Sequence, residues 1–145
     1  MARYTHVVDA KGRIVLPAKL RERLGASVYI TRSLDRGYLS IYAVDTFQSI
    51  RAQLNQLPGT DPVARRLRRE IIGEALLVEM DKQGRLSVSG ELWQSIEAIS
   101  GESICLIDLD DSIQLCKESF YQEELAKEIP LDALDLDQYA IRGIL

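Results

Sequence analysis

The chain has few of the residues that build metal centres and catalytic sites. It contains one His and two Cys among 145 residues, whereas a structural zinc site needs four nitrogen or sulfur ligands at close spacings. His6 has no nucleophile motif near it, so we expect a solvent-facing or packed side chain and not a general base. No glycine-rich phosphate loop precedes a helix. The sequence therefore predicts no enzyme, no metal or cofactor site and no small-molecule substrate.

Long apolar runs are also lacking. None approaches the roughly 18 residues of a membrane span, and the first six residues have no apolar signal core. We therefore expect a cytoplasmic protein without a membrane partner, in which cysteines stay reduced. Cys105 and Cys116 are equally spaced about a two-residue turn, Asp110-Asp111, which makes them cross-strand neighbours in that register. We interpret them as buried thiols and not as a redox switch.

Charge is unevenly distributed along the chain. The net charge is −4, but residues 1–75 hold 13 Lys and Arg against 7 Asp and Glu, a net of +6. Residues 76–145 hold 5 against 15, a net of −10. This asymmetry is typical of a protein in which one half faces a polyanion and the other half is solvated or faces a partner. Drift of charge between the two halves would produce the same asymmetry.

What the sequence does contain is an internal repeat. Asp9-Ala10-Lys11-Gly12-Arg13 returns 72 residues later as Asp81-Lys82-Gln83-Gly84-Arg85. The similarity extends into the flanking apolar segments, where Ile14-Val15-Leu16 matches Leu86-Ser87-Val88. The chain therefore consists of two copies of one small unit, and the charged turn is the segment in which the two copies are most similar.

Both copies show the same order of predicted elements. β-branched and aromatic runs between turn residues predict strands, and capping residues with Pro and Gly mark the helices. Strands are predicted at residues 6–8, 14–16, 28–31, 38–42, 76–80, 86–88, 103–109 and 112–117. Helices are predicted at 18–24, from an Asp45/Gln48 capping box through 57, from an Asp61 cap to near 73, from a Ser89 cap to about 99, and at about 119–128.

The strands of one copy are too short and too few to enclose a core. We therefore predict a β-rich α+β fold in which two tandem repeats interleave their hairpins and close a small barrel, with connecting helices. The first repeat covers residues 3–57, a linking helix 58–75 and the second repeat 76–128. An acidic tail, 129–145, is either frayed or a docking segment.

The repeated turns carry the most chemistry. Glycine allows the positive φ of a tight turn, and the aspartate can accept backbone N–H bonds or hold an arginine. The candidate binding residues are Lys11, Arg13, Lys82 and Arg85. Arginine suits bidentate contact with guanine or phosphate, whereas lysine acts as a point charge. The alternative is a generic β-turn with an Asp–Arg ion pair. The duplication of the pentad favours a binding role over this alternative.

A second basic element lies on the linking helix, with four arginines between residues 65 and 69. They spread around most of the helix. The sequence leaves two interpretations open: a solvated or subunit-pairing face, and contact with phosphate.

The pentads and the segment Asp61-Pro62-Val63-Ala64-Arg65-Arg66-Leu67-Arg68-Arg69 resemble those of the MraZ family of bacterial transcriptional regulators. The resemblance covers about residues 5–120. It implies two SpoVT/AbrB-like repeats forming a swapped-hairpin barrel, a ring-shaped homo-oligomer, and binding to promoter direct repeats of the division and cell-wall gene cluster, as a repressor associated with the nucleoid. It also implies that Lys11, Arg13, Lys82 and Arg85 face DNA.

The second copy departs from the first beside its pentad. Ser89-Gly90 stands where the first has Pro17-Ala18, and Trp93 stands in place of Arg21. These departures leave open whether both loops are presented alike. The alternative function is an antitoxin-like or scaffold module whose acidic tail captures a basic partner without DNA binding.

Overall fold

Antiparallel strands from the two copies make up most of the fold. A computed structural model of the protein describes residues 2–144. Its eight strands are β1 Arg3–Val7, β2 Arg13–Val15, β3 Ser27–Arg32, β4 Leu39–Ala43, β5 Leu76–Glu79, β6 Arg85–Ser87, β7 Ser103–Asp108 and β8 Ile113–Lys117. Each overlaps a predicted strand, with ends shifted by at most three residues. The β-rich α+β class is confirmed.

Strands of each copy pair with strands of the other copy. Six strands form one sheet in the order β1-β7-β8-β4-β3-β5, and β2 and β6 form a separate two-stranded ribbon. The first strand of the first copy, β1, pairs with β7 of the second copy. Reciprocally, β5 of the second copy pairs with β3 of the first. The hairpins β3–β4 and β7–β8 meet at the centre through β4 and β8.

The predicted closed barrel is absent from the described residues. β1 and β5 remain the two edges of the six-stranded sheet, and β2 and β6 pair with each other instead of joining it. β2 and β6 are only three residues long and pair with each other along their whole length, so neither joins β1 to β5. A five-residue turn precedes each of them. In the first turn, Asp9 N–H donates to the Arg13 carbonyl at 2.9 Å, and Gly12 N–H donates to the Asp9 carbonyl at 3.0 Å.

Helices lie between the strands and after the last of them. They are α1 Ala18–Leu24, α2 Val44–Asn55, α3 Pro62–Leu67, α4 Gly90–Ser95 and α5 Glu118–Lys127; α3 continues as a π-helix over Arg68–Ile72, and a 3₁₀ turn covers Leu131–Ala133. The caps predicted at Asp61 and Ser89 are confirmed by side-chain bonds to the N–H of Val63 and Leu92. No helix of residues 2–144 is long and apolar enough to cross a membrane.

Two helix predictions are wrong. The Asp45/Gln48 capping box is absent, because α2 begins at Val44 and no side chain caps it. α4 ends at Ser95 and not near Ile99, because Glu97 adopts a left-handed φ of 58°. That turn lets Ile96 and Ala98 point into the core while Ile99 stays exposed.

One continuous core lies between the six-stranded sheet and the ribbon. It contains Ile14 and Leu86 of the ribbon together with Ile30 and Leu106 of the sheet, all at most 1% exposed. Cys105 and Cys116 lie directly opposite each other on β7 and β8, as predicted, and are buried free thiols. Burial raises the pKa of the Cys116 thiol to about 12, so it stays protonated. Residues 129–144 of the tail are exposed.

Candidate nucleic-acid interface

The first pentad, called loop 1 (residues 9–13), is organised by the carboxylate of Asp9. Its Oδ1 accepts the backbone N–H groups of Lys11 and Arg13, both at 2.9 Å. Its Oδ2 accepts a 2.7 Å bond from Arg13 Nε. Gly12 has a φ of +75°, the left-handed conformation that glycine adopts at the lowest cost.

The second pentad, loop 2 (residues 81–85), repeats this geometry. Asp81 Oδ1 accepts from the backbone of Gln83 at 3.0 Å and of Arg85 at 2.8 Å, and its Oδ2 accepts from Arg85 Nε at 2.5 Å. Gly84 also has a φ of +75°. The departures that flank the second pentad therefore leave its internal structure unchanged.

These bonds keep both aspartates ionised. The backbone N–H of Arg13 is the main cause that lowers the pKa of Asp9, and that of Arg85 does the same for Asp81, with the guanidinium groups adding to the effect. A carboxylate that accepts several N–H bonds resists protonation, because each bond favours its charged form. The ion pair expected for a generic turn is thus present in both loops. It uses Nε of each arginine, and no side-chain bond from the Nη atoms of Arg13 or Arg85 occurs within residues 2–144.

The ribbon brings the two arginines onto one surface. Arg13 lies opposite Ser87, and Val15 lies opposite Arg85. Side chains directly opposite or two residues apart share a face of a β-ribbon. Ile14 and Leu86 occupy the other face and are buried. The arginines therefore stand as a diagonal pair on the outward face.

Lys11 and Lys82 lie at the tips of the two loops and are exposed. Neither side chain makes a hydrogen bond or an ion pair with another described residue. All four predicted residues thus lie on the ribbon or on the turns that lead into it, with loop 1 at one end and loop 2 at the other. Together they form a basic surface built from two segments 72 residues apart. Their role in binding stays a prediction.

Two residues that the sequence does not mark as site residues support these loops. Trp93 of α4 donates from Nε1 to the Gly12 carbonyl at 2.9 Å. Arg21 of α1 lies against Gly84, where a Cβ would be 2.6 Å from its Nη1. The internal repeat makes positions 21 and 93 equivalent, but it does not predict that each would contact the loop of the other copy.

Most of the arginine cluster on the linking helix serves the fold. Arg65 donates to the carbonyls of Gly59 and Thr60. Arg66 pairs with Glu70. Arg68 Nε donates to the Leu54 carbonyl at 3.1 Å, at the end of α2. These contacts tie three of the four arginines to the chain, yet Arg65 and Arg66 stay exposed, which fits the interpretation of a solvated face. Contact with phosphate or with another subunit stays a prediction. Arg69 is exposed.

Within residues 2–144, no group of three or more His, Cys, Asp or Glu side chains is placed to hold a metal ion.

Comparison with known proteins identifies the family. A family model described as "MraZ protein, putative antitoxin-like" matches residues 1–70. A "Transcriptional regulator MraZ" from Herpetosiphon aurantiacus is 31% identical over 144 residues, 97% of this chain and 99% of the relative. The chain belongs to the MraZ family.

Two further relatives carry the same name. The MraZ regulator of Thermoanaerobacter sp. is 32% identical over 123 residues, 85% of this chain and 84% of the relative. That of Thermomicrobium roseum is 39% identical over 92 residues, which span 63% of this chain and 64% of the relative. The solution structure of PHS018 from Pyrococcus horikoshii covers 80% of this chain and is itself covered to 87%, with 14% identity and a TM-score of 0.33, too low for a conclusion about the fold.

Proposed function

We propose that this MraZ-family protein is a sequence-specific transcriptional regulator that binds double-stranded DNA through the β2–β6 ribbon. The names of its relatives support regulation of transcription. The observation that carries the DNA-binding proposal is the placement of Arg13 and Arg85 on the outward face of one ribbon.

The ribbon fits the shape of DNA. The major groove is about 12 Å wide and admits a two-stranded β-ribbon. Each arginine is held through Nε by the aspartate of its own turn, so its two Nη groups are oriented before DNA arrives. Such preorganisation lowers the entropy lost on binding. Guanine O6 and N7 are the acceptors that suit this donor pair, and Lys11 and Lys82 at the tips suit phosphate.

Binding to DNA by an acidic chain needs several ribbons acting together. We propose a ring-shaped homo-oligomer of two-repeat SpoVT/AbrB-like chains, which presents many copies of the basic surface on one side. The opposite net charges of the two halves, +6 and −10, support head-to-tail contacts between neighbours. Subunits related by such contacts share one rotational sense and match direct repeats, whereas two-fold dimers match palindromes.

The family resemblance points to a promoter of the division and cell-wall gene cluster as the target. On that basis we propose repression at direct repeats there, by a protein associated with the nucleoid. The direct test is to select genomic fragments that the purified protein retains and to sequence them. Recovery of direct repeats upstream of such a cluster supports the proposal, and recovery of random fragments contradicts it.

Substitution of Arg13 tests the site. We expect Arg13→Ala to abolish specific retardation of the selected fragment, because each bidentate guanine contact contributes roughly 1–3 kcal/mol and the losses compound over linked subunits. The fold should persist, because Asp9 still accepts two backbone N–H bonds. Arg69→Ala, which removes an exposed arginine from the linking helix, is the matched control. Normal binding by both Arg13→Ala and Arg85→Ala would show that the pentads are structural turns.

The lysines provide a second readout. If Lys11 contacts phosphate, Lys11→Ala should weaken all DNA sequences alike and reduce the slope of log affinity against log salt by about one. A loss restricted to the specific sequence would instead place Lys11 at a base. Failure of the wild-type protein to retain any DNA would favour the alternative, an antitoxin-like or scaffold module.

A further inference from the structure

Loop 1 is supported from behind by a side chain of the second copy. The Trp93 indole is 5% exposed and its Nε1 donates to the Gly12 carbonyl at 2.9 Å. The same carbonyl accepts the backbone N–H of Val88 at 3.2 Å. A Cβ on Gly12 would lie 3.3 Å from Trp93 Nε1. Glycine is therefore what lets the indole approach the turn this closely.

Loop 2 is supported by a side chain of the first copy, and that side chain is charged. The Gly84 carbonyl accepts the backbone N–H of Leu16 at 3.0 Å. A Cβ on Gly84 would lie 2.6 Å from both Cζ and Nη1 of Arg21. The guanidinium therefore lies directly against the glycine backbone, in the place that the indole takes at loop 1.

The two contacts differ in chemistry. Trp93 is neutral and makes a hydrogen bond to its loop. Arg21 brings a permanent positive charge, and its Nε is buried without a hydrogen-bond partner among the described residues. A buried donor without a partner costs roughly 1–3 kcal/mol. Packing alone therefore does not explain an arginine at this position. A polyanion bound above loop 2 would be attracted by the positive charge behind the loop.

We propose that Trp93 and Arg21 are positioning residues, each for the loop of the opposite copy, and that Arg21 also adds a third cation to loop 2. Only the second part of this inference, the cation that Arg21 adds to loop 2, rests on the proposed DNA binding. Loop 1 is then aligned by a neutral hydrogen bond. Loop 2, with Lys82 and Arg85 in front of Arg21, is the more cationic of the two and interacts more strongly with the DNA backbone.

Hydrogen exchange without DNA tests the positioning. In the full-length protein, Trp93→Phe should accelerate amide exchange in residues 9–13 severalfold and leave residues 81–85 unchanged. Arg21→Met, which keeps an apolar stem and removes the guanidinium, should do the reverse. Amides of the β7–β8 hairpin serve as the reference for global stability. Equal effects on both loops, or none, would overturn the positioning role. If Trp93→Phe does not fold, Arg21→Met decides by the same criterion.

Salt dependence tests the charge. Arg21→Trp places at loop 2 the residue that supports loop 1, so exchange in residues 81–85 should stay slow. Its slope of log affinity against log salt should nevertheless fall by about 0.9 for each bound subunit, because one cation is lost. An unchanged slope with an ordered loop 2 would overturn the added charge. Absence of DNA binding by the wild type would contradict the proposed function and the added charge, while the exchange result would still decide the positioning.

Discussion

At the scale of single residues, the two pentad glycines determine how the loops can be built. Both have a φ of +75°, and both allow a side chain of the other copy to contact their backbone. For a residue with a Cβ, the left-handed conformation costs roughly 1–2 kcal/mol. The glycines of the repeat thus have a conformational role and a packing role at the same position.

We therefore expect Gly12→Ala to lower the free energy of unfolding by about 1–2 kcal/mol, because it adds backbone strain and crowds Trp93. Urea unfolding measures this. Gly90→Ala is the control, since Gly90 begins α4 without a positive φ and has open space around its Cα. It should be neutral or slightly stabilising. A cost at Gly90 equal to that at Gly12 would contradict the role of φ.

An ion pair with a buried carboxylate makes stability depend on pH. Arg23 donates from Nη1 and Nη2 to the two oxygens of Asp108, at 2.8 and 2.7 Å. This pairing is the main cause that holds the pKa of Asp108 well below its usual range. A carboxyl whose pKa is lowered on folding stabilises the protein at pH above its unfolded pKa, near 3.9. That stabilisation is lost as the pH falls toward the folded pKa.

Arg23→Met should accordingly reduce the free energy of unfolding at pH 7 by about 2 kcal/mol. This is less than the 3–5 kcal/mol typical of broken buried pairs, because the Arg23 side chain is 37% exposed. The difference from wild type should shrink as the pH falls below about 4. Urea titrations at pH 7, 4 and 3 measure it, and a difference that does not vary with pH would contradict the assignment.

At the scale of elements, the linking helix shows how an arginine-rich segment serves the fold. Besides the bond to Leu54, Arg68 donates to the carbonyls of Asn55 and Leu57, and thereby satisfies the end of α2. Thr31 of β3 donates from its buried hydroxyl to the Ile71 carbonyl of the π-helix at 2.5 Å. The helix is thus fixed to both α2 and the sheet.

Arg68→Ala should therefore destabilise the protein by about 1–2 kcal/mol, because it leaves carbonyls at the end of α2 without their donor. Arg69→Ala differs by one position and removes an exposed side chain, so its effect should stay within about 0.5 kcal/mol. Thermal unfolding of the two variants gives the comparison. Similar effects would mean that net charge on the helix, and not the cap, determines stability.

At the scale of the whole molecule, the two copies depend on each other for every outer strand. β1 pairs only with β7, β5 pairs only with β3, and β2 pairs only with β6. Each strand of the first copy therefore pairs with at least one strand of the second. We therefore expect that one copy of the repeat is not stable on its own.

A fragment of residues 1–58 should consequently show no cooperative thermal transition. It retains β1 to β4 and the β3–β4 pairing, but it loses β7, β6, β5 and β8, which pair with β1, β2, β3 and β4. Circular dichroism during heating measures this, with the full-length protein as control. A monomeric fragment that melts cooperatively would show that one copy folds alone.

Sequence reasoning predicted the elements well because their signals are local. Gly12 and Gly84 mark turns, Asp61 and Ser89 mark helix starts, and the Asp110-Asp111 turn places Cys105 opposite Cys116. Each of these outcomes depends on a few neighbouring residues. The failed capping box at Asp45 shows the limit, since the chain leaves β4 directly into α2 and the tertiary path sets the start of the helix.

The sequence by itself determined the duplication, the identity of the two loops and the residue types they present. The tertiary structure alone decided the strand order, the separation of the ribbon from the six-stranded sheet, and the crossing of Trp93 and Arg21 to opposite loops. The physical reason is that pairing between distant strands depends on which apolar faces share one core. Local propensity carries no information about that choice.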